Sequence, residues 1–386
     1  MAVTLGLSQI VKDEEHVIER SLNSIKSIVD HLTIVDTGSE DNTIEVIKNW
    51  SKENNIPVDI YQREFDNFEN SRNFAMEKAE GKTDYCFWLD ADEVIEIDEN
   101  FNKNNLNKDL YMFNTFIGDM KYTRNECWKN NGSFKWYGPV HEYITPKDKS
   151  KPLTSGIMNG LKVKVKMDGG SWLKDVSKKY KDQAIILEDY IDYKDRSPRW
   201  VFYTAQSYFD SARLEGNHPE NRERLRRSLK YYKERVDTLS GHPEERFYSQ
   251  LRIGVIMTRL DNPWEESKEQ FLKAYKIDPL RGEPFKFIIE YYQKMGDWNM
   301  AYLFSKFSYH TFYKSNPYPK RVLYVDKSLY DWKFAEFYSN SCYYTGRKNE
   351  ALKINNQIQT SVQNGEIKLP PKDFSRIQKN GDFFRR

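Results

Sequence analysis

The sequence predicts an α/β sheet domain followed by an all-α helical-repeat region. Two observations carry the first half of that reading. Strand-like and helix-like segments alternate through residue 100, and acidic residues fall just beyond the carboxyl ends of two strands. A third carries the second half: after about residue 175 the chain becomes rich in aromatics at helical spacing.

The elements follow in order. "VTLGLSQIV" (residues 3–11) is β-branched and apolar, the signature of a buried strand. Ile18, Leu22, Ile25 and Val29 then recur at helical spacing, giving one buried stripe. "HLTIVD" is a second strand, and the turn-rich "TGSEDNT" offers N-caps to a helix carrying Ile44, Ile47 and Trp50. "PVDIYQ" is a third strand, residues 69–80 a third helix and "YCFWL" a fourth strand. Repeated strand–helix units imply a mainly parallel sheet covered by helices. Residues 110–170 alternate less regularly and add strands around the site. Beyond them, "QFLKAYKIDP", "YYQKMGDWNMAYLF" and "YYTGRKNEAL" read as pieces of tetratricopeptide-type helical hairpins. The tail "KLPPKDFSRIQKNGDFFRR" is expected to fray.

Composition narrows the class. A chain of 386 residues exceeds one ordinary core, so two domains are expected. Hydrophobic content is 38%, yet aromatics reach 15% and can fill cores. A net charge of +2 with 31% charged residues names no partner. The 3 cysteines, Cys86, Cys127 and Cys342, are scattered without a CxxC pair, which argues against a zinc module or disulfide framework. The amino terminus lacks a signal-peptide pattern, and no stretch approaches the roughly 20 apolar residues of a membrane span. The expectation is a cytoplasmic protein.

The chemistry concentrates in "CFWLDADEVIEID", where an apolar strand runs directly into Asp90, Asp92 and Glu93. Unpaired buried charge is costly, so these carboxylates either lie outside the strand or hold a cation. Two carboxylates at i and i+2 can bind Mg²⁺ or Mn²⁺ while leaving positions for phosphate oxygens. A solvated turn is the plain alternative. Asp36 and Asp90 share the sheet edge at which open α/β sheets bind ligands.

Taken together, "QIVKDEE", "IVDTGSEDNT", "NSRNFAMEKA" and "WLDADE", in that order over residues 3–145, resemble the family 2 glycosyltransferases. These use nucleotide-sugar donors in a Rossmann-like domain called GT-A. "FKWYGPVHE" resembles an element of soluble members that carry a tetratricopeptide-like region, some of which glycosylate peptides. The resemblance implies a GT-A domain over 1–175, a tetratricopeptide-like domain over 176–365 and a tail over 366–386. It implies a metal-dependent inverting transfer, with Mn²⁺ or Mg²⁺, from a UDP-sugar to a hydroxyl or thiol of a peptide or glycan acceptor.

Residue by residue, the resemblance gives Asp36 the donor's base, places Glu14 beside the same nucleoside pocket and Arg72 near the pyrophosphate or base. Asp90 would contact the ribose or support the metal, Asp92 would bind the metal directly, and His141 would add a ligand or touch the diphosphate. Glu142 would be the general base, with Asp119 and Glu126 as rivals. Each also has a structural reading: Asp36 as a helix cap, Glu14 as a helix N-terminal charge, Arg72 as an exposed helix residue, His141 as a satisfied structural residue.

The chain departs from the family pattern at Met167, which stands where relatives often have a His that completes the metal shell; His141, Asp168 or water would then serve. It also has Arg196 where membrane synthases have a Gln before Arg-Trp. A second reading keeps the chemistry but directs it to a hydroxylated DNA base. It rests on the basic, Tyr-bearing run "ENRERLRRSLKYYKER". A third makes the chain a catalytically inactive helical-repeat binding protein.

Overall fold

The computed structural model describes residues 2–117, 120–169, 175–213, 218–315, 321 and 323–385. The chain forms two compact units, Met1–Tyr190 and Ile191–Arg386. The expected boundary at 175 lies before this division, which falls inside a helix, Val176–Tyr193.

In the first unit, β1 (Leu5–Val11), α1 (Ile18–Ile25), β2 (His31–Asp36), α2 (Thr43–Asn54), β3 (Val58–Gln62), α3 (Phe68–Ala79) and β4 (Tyr85–Trp88) follow the predicted order. Then come β5 (Glu93–Ile97), β6 (Leu110–Ile117), β7 (Met120–Lys129), β8 (Phe134–Tyr137), β9 (Tyr143–Pro146), β10 (Ser155–Val165) and α4 (Val176–Tyr193). The sheet order is β3-β2-β1-β4-β7-β6-β10-β5, with β8 and β9 as a separate hairpin. Strands β1 to β4 are parallel, as helical crossovers require. The other half corrects the expectation of a mainly parallel sheet. β7 runs antiparallel to β4 and β6, β10 is antiparallel to β5, and only β6–β10 is parallel. No helix connects β5, β6 and β7, apart from one short 3₁₀ turn, so nothing forces a parallel return there.

Both sheet faces are buried. Leu7, Leu22, Ile34, Trp50, Phe87 and Phe113 pack on one face, and Val35, Met76, Trp88, Trp128, Trp136 and Ile144 on the other. Alternation along β4 places Phe87 in the first core and Cys86 and Trp88 in the second.

The second unit is helical: α5 (Pro198–Ser211), α6 (Pro219–Asp237), α7 (Pro243–Arg259), α8 (Trp264–Ile277), α9 (Glu283–Lys294), α10 (Trp298–Phe312), α11 (Phe334–Tyr344), α12 (Lys348–Gln363) and α13 (Pro371–Phe384). Gly296 and Gly346 sit in the α9–α10 and α11–α12 turns at φ +72° and +83°. Nothing lies within 4 Å of a side chain added there, so those glycines serve backbone conformation alone. Gly254 differs: a Cβ would strike the Phe271 ring, so its smallness lets α7 and α8 approach. The terminal segment does not fray. Ile377 and Phe384 of α13 are buried against Ile354 and Ile358, and Arg376 Nε and Nη2 donate to Glu336 at 2.8 and 2.9 Å.

The basic run on α6 is largely engaged within this unit. Arg222 pairs with Asp261, Arg224 with Glu220, Arg226 and Arg227 with Glu223, and buried Arg235 with Glu245. Five of its arginines are thus ion-paired, while Arg226, Arg227, Lys230 and Lys233 stay exposed.

Arg281 is fully buried and ion-paired to Glu283 at 3.0 Å and to Glu244 at 3.4 Å. It also donates to the carbonyls of Leu323 and Tyr324, both at 3.1 Å. Removing one member of such a network strands the other charges. Arg281→Met should destabilise the helical unit by about 3–5 kcal/mol, measured by chemical denaturation of the whole chain.

Candidate active site

The carboxyl edge of the parallel strands is built by loops that satisfy one another. The segment after β1 is "KDEE" and the one after β2 is "TGSEDNT". Asp13 Oδ1 accepts from Glu40 N at 2.8 Å, Glu15 Oε2 from Asn42 N at 2.9 Å, and Thr43 Oγ1 from Glu14 N at 2.8 Å. Short acidic side chains thus supply acceptors to exposed amides and set the mouth of the crevice. Asp36, at the end of β2, is buried; its Oδ1 accepts from the amides of Gly38 at 3.3 Å and Ser39 at 2.9 Å. Its Oδ2 has no hydrogen-bond partner among the described residues. Asp36 therefore caps a turn with one oxygen and offers the other.

The "DADE" turn closes on itself. Glu93 N donates to Asp90 O at 3.0 Å, and Glu93 Oε2 accepts from Asp90 N at 3.2 Å. Buried Gln9 on β1 donates to Leu89 O at 2.7 Å, which fixes where the turn begins. Asp90 Oδ1 accepts from Trp88 Nε1 at 2.8 Å and Arg72 Nη2 at 3.2 Å, while its Oδ2 lies 3.9 Å from Arg124 Nη1. Burial pushes Asp90 up, but Arg72 and Arg124 hold it below its ordinary value. Asp92 is the opposite case. Burial and then Asp90 raise its carboxyl, and among the described residues it forms no ion pair and accepts no hydrogen bond from another side chain.

Arg72 joins these elements. It lies on α3 with its guanidinium carbon 4.2 Å from the Trp88 ring centroid and 4.7 Å from that of Trp136. Its Nε is 2.6 Å from Glu142 Oε1. The face of α3 explains how Glu142, far along the chain, arrives there. Glu69, Arg72 and Asn73 are neighbours at i, i+3 and i+4. Glu69 accepts from Gly138 N at 3.2 Å, and Asn73 exchanges two hydrogen bonds with the Trp136 backbone at 2.8 and 2.9 Å. One helix face thereby holds the β8–β9 hairpin, whose turn carries His141 and Glu142. Glu142 is raised by burial, with Arg72 opposing. His141 is exposed, in the left-handed region at φ +54°.

Several residues were absent from the sequence reading. Arg124 on β7 pairs with Glu93 and Glu126, each at 2.7 Å. Arg124 and Glu126 stand two apart on a strand, and two opposite charges at that spacing inside a buried strand were the available signal. Glu126, the rival base, is committed to Arg124; Asp119 lies outside the described residues. Asp168 is also committed: Arg20 donates to both of its oxygens at 2.7 Å. Gly169 packs so closely on Asp92 that a Cβ there would lie 2.9 Å from Asp92 Cβ and 3.2 Å from Glu14 Oε2. A groove of about 330 Å³ beside Met76, Glu77, Trp128 and Lys135 holds none of the predicted site residues. Among the described residues no three His, Cys, Asp or Glu side chains gather as a metal site, so His141 is not brought into such a set with Asp90 and Asp92.

Residues 10–101 match the family model described as Glycosyl transferase family 2, a range that holds Glu14, Asp36, Arg72, Asp90 and Asp92 but not Glu142. The chain is 23% identical over 212 residues to the SPbeta prophage-derived glycosyltransferase SunS of Bacillus subtilis (strain 168), covering 52% of this chain and 48% of that protein. It is 28% identical over 148 residues to the TPR repeat-containing protein Synpcc7942_0270 of Synechococcus elongatus, covering 36% of this chain and 35% of that protein. The chain thus spans about half or less of the curated relatives it matches. Among solved structures, S. aureus TarS 1-349 in complex with UDP-GlcNAc aligns at TM-score 0.39 with 12% identity, over 70% of this chain and 92% of that one. MamA aligns at TM-score 0.35 with 9% identity, over 50% and 98%.

Burial pushes Glu126 from 4.5 up to about 8. Between those values the folded state holds a proton that the unfolded state has released, so this residue makes stability fall as pH rises. Glu126→Gln should remove that slope. Urea denaturation of both proteins from pH 4.5 to 8 should show the wild type losing stability relative to the variant, by on the order of a few kcal/mol.

Proposed function

We propose that the chain is a metal-assisted, inverting glycosyltransferase that moves a sugar from a UDP-sugar to a hydroxyl or thiol of a peptide or glycan. The observation that carries this reading is the contrast within one turn. Asp90 is paired with two arginines, while Asp92, beside it, forms no ion pair among the described residues and feels Lys179 only as a nearby charge, at the edge where the family 2 match lies. The donor set is all oxygen, which suits Mg²⁺ or Mn²⁺. Such ions need only one or two protein carboxylates when a diphosphate supplies the remaining ligands, so a three-residue cage is not required.

In this reading Asp92 is the anchor for the cation, which when bound acts as a Lewis acid on the leaving diphosphate. Asp36 Oδ2 receives a hydrogen bond from the donor's base, and Glu14 flanks that pocket. Asp90 meets the ribose from a position that Arg72, Arg124 and Trp88 fix. Arg72 positions Asp90 and Glu142 and does not reach for the pyrophosphate itself, because two indoles and two carboxylates already occupy its guanidinium. Glu142 takes the acceptor's proton; its raised pKa brings it nearer the working range of a general base. Met167, exposed and bearing a soft thioether, does not suit a hard cation. The helical repeats offer a surface for a peptide acceptor. Among the described residues no helix is long and apolar enough to cross a membrane.

Calorimetry with UDP and Mn²⁺ tests the core of the reading. Wild type should bind UDP in a metal-dependent way, and Asp92→Asn should lose that dependence while remaining folded. Metal-independent UDP binding in the wild type would end the metal assignment. Intact UDP binding without sugar release from any UDP-sugar would return the chain to the binding-protein reading.

Glu142→Gln keeps the size of the side chain but cannot take a proton. Donor binding should persist while transfer falls by roughly 100-fold or more. Wild-type transfer should fall as pH drops through a value above the ordinary carboxylate range, because only ionised Glu142 accepts the proton. Unchanged transfer in the variant would move the base elsewhere.

A further inference from the structure

The segment that follows β10 does something no residue in it was expected to do. Lys166 N donates to Asp92 O at 3.2 Å, which continues the β10–β5 pairing by one step toward the "DADE" turn. Met167 then takes the left-handed conformation at φ +56° and turns the chain across the start of α1. There Asp168 is gripped from two sides. Both its carboxylate oxygens accept from Arg20 at 2.7 Å, and its carbonyl lies 2.9 Å from His16 Nε2. The next residue, Gly169, is buried with no room for a side chain. An added Cβ would meet Asp92 Cβ at 2.9 Å, Asp92 Cγ at 3.1 Å and Glu14 Oε2 at 3.2 Å.

We propose that Arg20 and Asp168 form a clasp that presses Gly169 against Asp92 and Glu14, and so sets the Asp92 carboxylate for the cation and diphosphate. This rests on the reading of Asp92 given above. Arg20 and Asp168 are positioning residues and touch no reactant. Among the described residues Asp92 has no ion pair and no side-chain hydrogen bond, only one from its own amide and the nearby charge of Lys179, so its orientation depends also on what packs against it. Gly169 supplies backbone packing on the side where Met167 offers no ligand. The clasp closes from α1, an element of the first strand–helix unit, onto the segment just beyond β10. Two sequence-distant pieces thereby become one wall.

The exposure of the pair separates this role from a structural one. Arg20 and Asp168 side chains are 40% and 44% exposed, and an ion pair that open contributes little to global stability. Loss of an outer-shell partner, by contrast, costs metal sites about 10- to 100-fold in affinity. Arg20→Ala and Asp168→Asn should therefore leave the unfolding midpoint unchanged, yet weaken the Mn²⁺-dependent component of UDP binding by about 10-fold. The exchanged pair, Arg20→Asp with Asp168→Arg, should recover much of the loss. Amide hydrogen exchange over residues 166–169, measured without metal or nucleotide, should quicken in Arg20→Ala.

The outcomes divide cleanly. Metal-dependent UDP binding in the wild type that Arg20→Ala leaves intact overturns the clasp and spares the reading of Asp92. A wild type that binds no UDP in response to metal overturns that reading, and hydrogen exchange then judges the clasp alone. Unchanged exchange over 166–169 overturns the clasp in either case. A lowered unfolding midpoint equal in scale to the affinity loss would make the pair merely structural and would also overturn it.

Discussion

The site depends on how one guanidinium is housed. Arg72 is held over two indoles and between two carboxylates, with only 12% of its side chain exposed. A charge that far from water is tolerable only if its partners are close and its faces covered. Those partners come from three places: Trp88 and Asp90 at the end of β4, Trp136 on the β8–β9 hairpin, and Glu142 in the turn of that hairpin. Fixing Arg72 therefore ties the strand end that carries Asp90 to the hairpin that carries Glu142. Desolvated cation–π contact of this kind is worth about 2 kcal/mol or more, enough to matter for a hairpin that lies outside the main sheet.

A second arginine extends the same logic. Arg124 lies 2.7 Å from both Glu93 and Glu126, whose carboxyls burial pushes up, and stands near Asp90. With Arg72 it surrounds Asp90 with positive charge. Asp92 differs in forming no ion pair among the described residues, with Lys179 acting on it only as a nearby charge. The proposed cation site at Asp92 rests on that difference in ion pairing rather than on acidity as such. Nearby Asp168 is spoken for by Arg20, which holds its carboxyl below the ordinary value.

Much of this was legible in the chain. Strands such as "HLTIVD" and "VDIYQ" and the stripe Ile18, Leu22, Ile25 announce themselves because burial of a single face imposes a period. Asp36, Asp90 and Asp92 were visible because carboxylates at strand ends conflict with burial. The antiparallel half of the sheet was not: β6 and β7 pair with each other as sequence neighbours, but β7 with β4 and β10 with β5 and β6 meet by long-range pairing that no local pattern encodes. Arg124 and Gly169 were missed for the same reason: their roles exist only once β7 lies beside β4 and the end of β10 beside β5. The tail was misjudged because Pro-Pro and basic residues resemble a frayed end. In the fold they start a helix whose Ile377 and Phe384 close the last repeat.

The single face of α3 that presents Glu69, Arg72 and Asn73 has a consequence for how such a protein can change. Each residue inserted into a helix turns everything after it by about 100°. One insertion between Glu69 and Arg72 would swing Arg72 and Asn73 away from the hairpin together, releasing the turn that carries Glu142 in a single step. A change of length there is therefore far more disruptive than a change of side chain on the opposite face of the helix.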